Sequence, residues 1–252
     1  MKRLEVTVQT SGHPLRIDSG SVMHGIIMEL LPPPWPARLH EDGNSTMSQW
    51  LEPKENGKCI WHIGILQDDL GDILYRQLQS RENLYSAHHQ EFLRIDGLQK
   101  REILPEDLLA SFLMNEEIPA GIRLFFRSPT THKSKGEYVL FPSLSLIVGS
   151  LQKKMVRVWP DNLLADETLG QQIAEQSRIT RYKLKTCSFG LEGTRVNGYT
   201  GSIDIRFRGE DMLRRLSAAV FSLSEWAGVG IKTALGMGGC TIYHLKRGEK
   251  AL

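Results

Sequence analysis

The sequence predicts an α+β protein in which the order strand, helix, strand, strand, helix, strand occurs twice. Three observations lead there. Stretches with period-two alternation are interleaved with stretches whose apolar residues recur every three or four positions. The order of these stretches in residues 1–118 returns in residues 119–252. Between the two runs, Asn115-Glu116-Glu117 and Pro119-Ala120-Gly121 break the pattern with turn-forming composition. Two β-α-β-β-α-β units make two tandem ferredoxin-like, RRM-like domains, each with both helices on one sheet face and the other face free.

The first unit opens with Arg3 to Gln9, which alternates as a strand. Ser19 to Leu31 places Met23, Ile26, Ile27, Leu30 and Leu31 at helical spacing, with Ser19 or Ser21 as N-cap. Pro32-Pro33-Pro34-Trp35-Pro36 ends that helix, because proline lacks the N–H and disfavours helix before it, and a polar loop is expected through Asn44. One or two strands follow, the clear one being Cys59 to Leu66. Asp68 to Gln79 reads as a helix with Leu70, Ile73, Leu74 and Leu78 on one face, and residues 90–98 as a further strand. Residues 101–114 read as an inserted helix or a linker.

In the second unit Gly121 to Phe126 is the first strand, and Ser143 to Val158 and Asp161 to Gln176 are helical. Arg178 to Ser188 and Tyr199 to Arg208 form a hairpin. Gly209 to Trp226 is a helix carrying Leu213, Leu216, Val220, Phe221 and Leu223 toward the core, and the last strand lies near Cys240 to Leu245.

Composition narrows the class. Of 252 residues, 40% are hydrophobic and 24% charged, which excludes global disorder and a collagen-like repeat. Three scattered cysteines form no C-x-x-C pair, which argues against a cysteine zinc site and fits a reducing, cytoplasmic setting. No apolar run reaches the ~18 residues of a membrane span. The N-terminus alternates as a strand instead of forming a signal peptide, so the sequon Asn44-Ser45-Thr46 is expected to be idle. Residues 1–120 carry 11 Lys+Arg against 18 Asp+Glu, a net of −7, whereas residues 121–252 carry 20 against 11, a net of +9. A basic half points to a polyanion partner, most often nucleic acid. Mutual attraction of the two halves is the plainer alternative.

The strongest local signal is Gly228-Val-Gly-Ile-Lys-Thr-Ala-Leu-Gly-Met-Gly-Gly239. Gly228, Gly230, Gly236, Gly238 and Gly239 allow positive φ and close backbone approach to a ligand, and Lys232 adds charge to an anion-binding nest of amides. The segment is neither a phosphate-binding loop of the Gly-x-x-x-x-Gly-Lys-Ser/Thr type nor a dinucleotide fingerprint, since it runs helix-then-strand. A long helix C-cap and turn is the structural alternative. On the hairpin, Arg181, Lys183 and Lys185 share one face, as do Arg206 and Arg208, so pairing gathers five cations against one acid, Asp204. Among eight histidines, His13, His62, His88, His89, His132 and His244 read as structural or surface residues. His40 sits in the expected loop after the proline run, and His24 lies one position off the apolar stripe of the first helix, close enough in the chain for a pair. No hydrolase triad and no carboxylate cluster of a two-metal nuclease stands out.

With these motifs in order, the chain resembles the CRISPR-associated repeat-RNA endoribonucleases, the sixth Cas protein family of the RAMP superfamily. The loop Gly228 to Gly239 after Ser222-Leu223-Ser224-Glu225-Trp226-Ala227 is similar to that family's glycine-rich loop. Ser128-Pro129-Thr130-Thr131, Leu140-Phe141-Pro142-Ser143 and Gly149-Ser150-Leu151 resemble its middle segment. Leu39-His40-Glu41 with Thr46-Met47-Ser48, and Met23-His24-Gly25-Ile26-Ile27, resemble its catalytic-histidine region and the start of its first helix.

The resemblance implies metal-free, cofactor-free cleavage of CRISPR repeat transcripts, in which the RNA's own 2′-hydroxyl attacks the adjacent phosphate. A 2′,3′-cyclic phosphate and a 5′-hydroxyl result. It implies that His40 is the main catalytic group and His24 a second one. Other members carry a tyrosine where this chain has Met28, and a lysine shortly after the histidine, for which Lys54 and Lys58 are too displaced. RNA is then held by Lys232, the glycine-loop amides and the cations Arg181, Lys183, Lys185, Arg206 and Arg208. Precursor and mature CRISPR RNA are the expected partners, with a CRISPR effector complex and a homodimer as further ones and no membrane. The alternative reading is a non-catalytic repeat-RNA-binding subunit of an effector complex. An enzyme of a phosphate-bearing ligand is a third.

Overall fold

The computed structural model describes residues 1–41, 43, 46–191 and 193–246. Asn44 and Ser45 of the sequon lie outside the described residues. The first unit runs β1 Lys2–Gln9, α1 Gly20–Leu30, α2 Trp35–Glu41, β2 Met47–Pro53, β3 Lys58–Ile65, α3 Asp68–Gln79, β4 Asn83–Ser86 and β5 Glu91–Glu102. Its antiparallel sheet has the order β2-β3-β1-β5-β4. The ferredoxin-like core is β5-β1-β3-β2, and β4 adds a short outer strand paired with β5. Leu4, Val6 and Val8 of β1 pack with Met23, Ile26 and Ile27 of α1 and Leu70, Leu74 and Leu78 of α3 in one core.

After α4 Pro105–Leu113, the second unit runs β6 Gly121–Thr130, the small hairpin β7 His132–Ser134 and β8 Glu137–Val139, then α5 Leu144–Val158 and α6 Glu167–Glu175. It continues with β9 Ser177–Leu191, β10 Thr194–Phe207, α7 Asp211–Ser222, α8 Ser224–Ala227 and β11 Cys240–Leu245. The sheet order β11-β6-β10-β9 repeats the arrangement of the first unit. The protein therefore has the expected α+β architecture of two ferredoxin-like sheets. No helix among the described residues is long and apolar enough to cross a membrane.

Four local expectations change. The polar loop after Pro32 contains the helix α2. A proline in a first helical turn loses no intrahelical hydrogen bond, so Pro36 starts this helix instead of preventing it, and Leu39 anchors it in the core. The second strand before Cys59 exists as β2, whose first five residues are all buried. Both of its faces are covered, so Met47-Ser48-Gln49-Trp50-Leu51 shows no alternation to read. The helix expected from Asp161 begins at Glu167, where the Asp166 carboxylate accepts from the Leu169 amide as N-cap. The helix expected over Gly209 to Trp226 is broken into α7 and α8 around Leu223.

The cores of the two units interlock. Met1 and Leu66 belong to the core of the second sheet, and Ala234, from the glycine loop, belongs to the core of the first. The loop between α8 and β11 is thus a wedge between the sheets.

Candidate functional site

Local sequence sets the two histidines at different depths. His24 is half-buried on α1, one residue past the fully buried Met23. His40 is exposed in the last turn of α2, while its neighbour Leu39 is buried and the Arg38 guanidinium lies over the Trp35 ring. His40 therefore projects from a helix end and not from a loop.

The glycine loop is built by internal contacts. Gly238, at φ +72°, would place a Cβ 2.0 Å from the Val229 carbonyl oxygen, and Gly230, at φ +84°, would place one 2.2 Å from the Thr131 carbonyl oxygen. Gly239 lies against the Trp50 ring, and Gly236 against Gly20 at the start of α1. These glycines permit close approach of the protein to itself. Several of the loop amides are also bonded within the fold. The Gly228 amide donates to the Ser224 carbonyl, Val229 to Gly238, Ile231 to Thr131, Gly236 to Thr233 and Gly238 to Pro129. The Gly230 and Gly239 amides donate to the hydroxyls of Ser150 and Ser128. The middle segment of the chain is thus the tether of the loop. Lys232 takes the left-handed conformation, φ +55°, at the entrance to a 3-10 turn over Thr233–Leu235, and its side chain is half-buried.

A residue that sequence reasoning missed secures this wedge. Lys154 of α5 is 5% exposed, and its ammonium donates to the carbonyls of Ala227 and Gly228 and to the Thr233 hydroxyl. Burial lowers its pKa to about 7. Its place in the helical register gives only the signal of a lysine among core-facing residues. On the other side, β2 grips the loop: the Thr233 hydroxyl donates to the Met47 carbonyl and the Ser48 hydroxyl to the Trp226 carbonyl.

The hairpin register sets the basic face. Arg181 pairs with Asp204, Lys183 with Ser202 and Lys185 with Thr200, so these three share the side opposite the buried Ile203 and Ile205. All three are exposed, and Arg206 follows Asp204 on the same side, half-buried, with Nη1 donating to the Lys246 carbonyl. Asp204 is 3% exposed and is held by Arg123 of β6 through two bonds of 2.5 and 2.8 Å. Asp204 is thus neutralised by a neighbouring strand. Arg208 is exposed just past the end of β10 at Phe207, and its amide donates to the Gln176 carbonyl at 2.7 Å.

The other histidines occupy separate settings. His62 stacks on Trp50 at 3.8 Å between Arg3, Glu5 and Glu52, and burial lowers its pKa. Burial pushes His132 down to about 4. His13 stacks on His89. A cleft of about 720 Å³ lies between α1, the His88–His89 turn and the tip of the β9–β10 hairpin, and neither His24 nor His40 lines it.

Comparison with known proteins covers up to 98% of the chain. The family model described as CRISPR-associated endoribonuclease Cas6 matches residues 124–240. The CRISPR-associated endoribonuclease Cas6 of Streptococcus thermophilus is 30% identical over 247 residues, 98% of this chain and 100% of that protein. Its namesake in Mycobacterium tuberculosis is 26% identical over 239 residues, 92% of this chain and 74% of that one. Among solved structures, a Cas6 product complex has a TM-score of 0.80 at 18% identity, covering 96% of this chain and 99% of that one. Thermus thermophilus Cas6 has a TM-score of 0.73 at 19% identity, covering 96% and 98%. The solved structures share the fold, and the match along the full length of the Streptococcus protein places this chain in the CRISPR-associated endoribonuclease Cas6 family.

Proposed function

We propose that this protein cuts CRISPR precursor RNA within its repeats to release guide RNAs, in the cytoplasm and without a metal ion. The 2′-hydroxyl at the scissile nucleotide attacks the adjacent phosphorus as a base takes its proton. The P–O5′ bond breaks as an acid protonates the leaving oxygen, leaving a 2′,3′-cyclic phosphate and a 5′-hydroxyl. His40 is the main proton-transfer group and His24 the second, since imidazole exchanges protons near neutral pH. Lys232 and the hairpin cations bind the RNA's phosphates, and a cation at the scissile phosphate stabilises the charge that develops there.

The observation that carries this reading is the junction at β2. The strand that follows the His40 segment holds the glycine loop, through Met47 and Thr233, across 186 residues of sequence. That link supports a reading in which the His40 segment and the Lys232 loop act together.

The test is incubation with the repeat RNA in excess EDTA, beside an RNA with a single 2′-deoxy nucleotide at the scissile position. Full-rate cleavage with cyclic-phosphate ends, and binding of the deoxy RNA without cleavage, are expected. Cleavage of the deoxy RNA would overturn internal attack, and loss of activity in EDTA would overturn metal independence. Binding of both RNAs with no cleavage would instead favour a non-catalytic subunit.

A further inference from the structure

We propose that Gln49 is a positioning residue for RNA cleavage, one side-chain amide that sets the helix carrying His24 in register with the loop carrying Lys232. The inference rests on the cleavage reading above. Gln49 lies in β2, 1% exposed, between Met47 and Leu51 on the core side of the strand. Its Nε2 donates to the carbonyl of Gly20, the first residue of α1, at 3.0 Å, and to the carbonyl of Ala234, two residues after Lys232, at 2.5 Å. Its Oε1 accepts from Nε1 of the fully buried Trp61 at 2.6 Å, which fixes which way the amide points. Both N–H donors are committed, one to each element.

The backbone at this point leaves no slack. A Cβ on Gly20 would stand 2.2 Å from the Leu235 carbonyl oxygen, so the start of α1 rests directly on the loop. His24 is four residues on, one helical turn along the same face of α1. A small sliding of α1 along the loop therefore changes the spacing between His24 and Lys232, and apolar packing alone does not resist sliding well because it is non-directional. Hydrogen bonds from a buried amide are directional and costly to leave unmade. A leucine or methionine at position 49 would suit the neighbouring Met47 and Leu51, so the amide adds register where the core asks only for volume.

The test is Gln49→Met, which keeps length and loses both donors, assayed in single turnover with saturating repeat RNA. The expected result is a rate lower by ~10²-fold, as for a displacement of about 1 Å. RNA affinity should stay within about threefold, because the phosphate-binding cations are untouched. The pH–rate profile should keep its wild-type shape, since no titrating group is changed. Trp61→Phe, which frees the amide to rotate, should show the same split to a smaller extent, and it decides the matter if Gln49→Met does not fold. A folded variant that melts earlier yet cleaves at the wild-type rate at saturation makes Gln49 structural only and overturns the proposal. So does a parallel loss of rate and affinity. Wild-type protein in the same assay separates the two readings: if it fails to cut, the nuclease proposal falls first and this one with it.

Discussion

At the scale of single residues, exposure and burial divide the histidines and lysines by what each can do. His40 is exposed at a helix end, where an imidazole is free to meet a substrate. His40→Ala should lower the single-turnover rate by ~10²–10⁴-fold with repeat affinity nearly unchanged, and His24→Ala should lower it less. An unaltered rate for His40→Ala would move the reaction elsewhere. Lys154 and His132 are the opposite case, held in the interior where charge is disfavoured. Burial takes Lys154 from its ordinary 10.5 to about 7, and His132 from 6.5 to about 4. Between those values the unfolded chain binds a proton that the native protein does not. Stability therefore rises with pH, through roughly 4 to 6.5 for His132 and 7 to 10.5 for Lys154. Urea unfolding across pH should show that slope, up to about 1.4 kcal/mol per pH unit from each group. Lys154→Met should flatten the upper window, and a slope of the opposite sign would contradict burial as the cause.

At the scale of elements, the glycine loop is a folded wedge whose small residues serve close packing. Gly238→Ala must force a Cβ into the Val229 carbonyl at a positive φ, and should destabilise the protein by more than ~2 kcal/mol. Gly25→Ala on α1 meets nothing within 4 Å and sits at a helical position, so it should stabilise by up to ~1 kcal/mol. Thermal or urea unfolding of the two variants checks the contrast. Equal effects would mean that the loop relaxes freely, contrary to its tethers on Ser128 and Ser150. Lys232→Ala should leave stability alone, since Lys232 forms no ion pair among the described residues.

At the scale of the whole molecule, the charge asymmetry gives RNA one side to approach. The acidic first half repels phosphate and the basic second half attracts it. With Asp204 held by Arg123, the cations Arg181, Lys183 and Lys185 of β9 remain exposed on this face. Single-strand binding loses about 0.7 of a log unit per neutralised phosphate for each decade of salt. Joint replacement of Arg181, Lys183 and Lys185 by Ala should weaken binding and flatten the salt slope by up to about two units. Lys232→Ala should remove at most one contact. A triple variant with the wild-type slope would take the RNA off the hairpin face.

Elements that bury one face were readable in order, because amphipathic periodicity is a property of the chain itself. Arg3 to Gln9, the α3 stripe of Leu70, Leu74 and Leu78, and the hairpin cations Arg181, Lys183 and Lys185 all carry it. The glycine loop and both histidines were also visible as residue types in sequence, and their family resemblance pointed to the same fold. The chain alone did not reveal β2, because a strand covered on both faces loses its alternation. It did not reveal that the amides of Gly230, Ile231, Gly238 and Gly239 are tethered inward, since their acceptors come from Ser128 to Thr131 and from Ser150, far away in sequence. Nor did it mark Gln49 or Lys154, whose partners exist only when the two sheets meet. Local pattern determined which elements form, and long-range burial decided which polar groups those elements would have to satisfy.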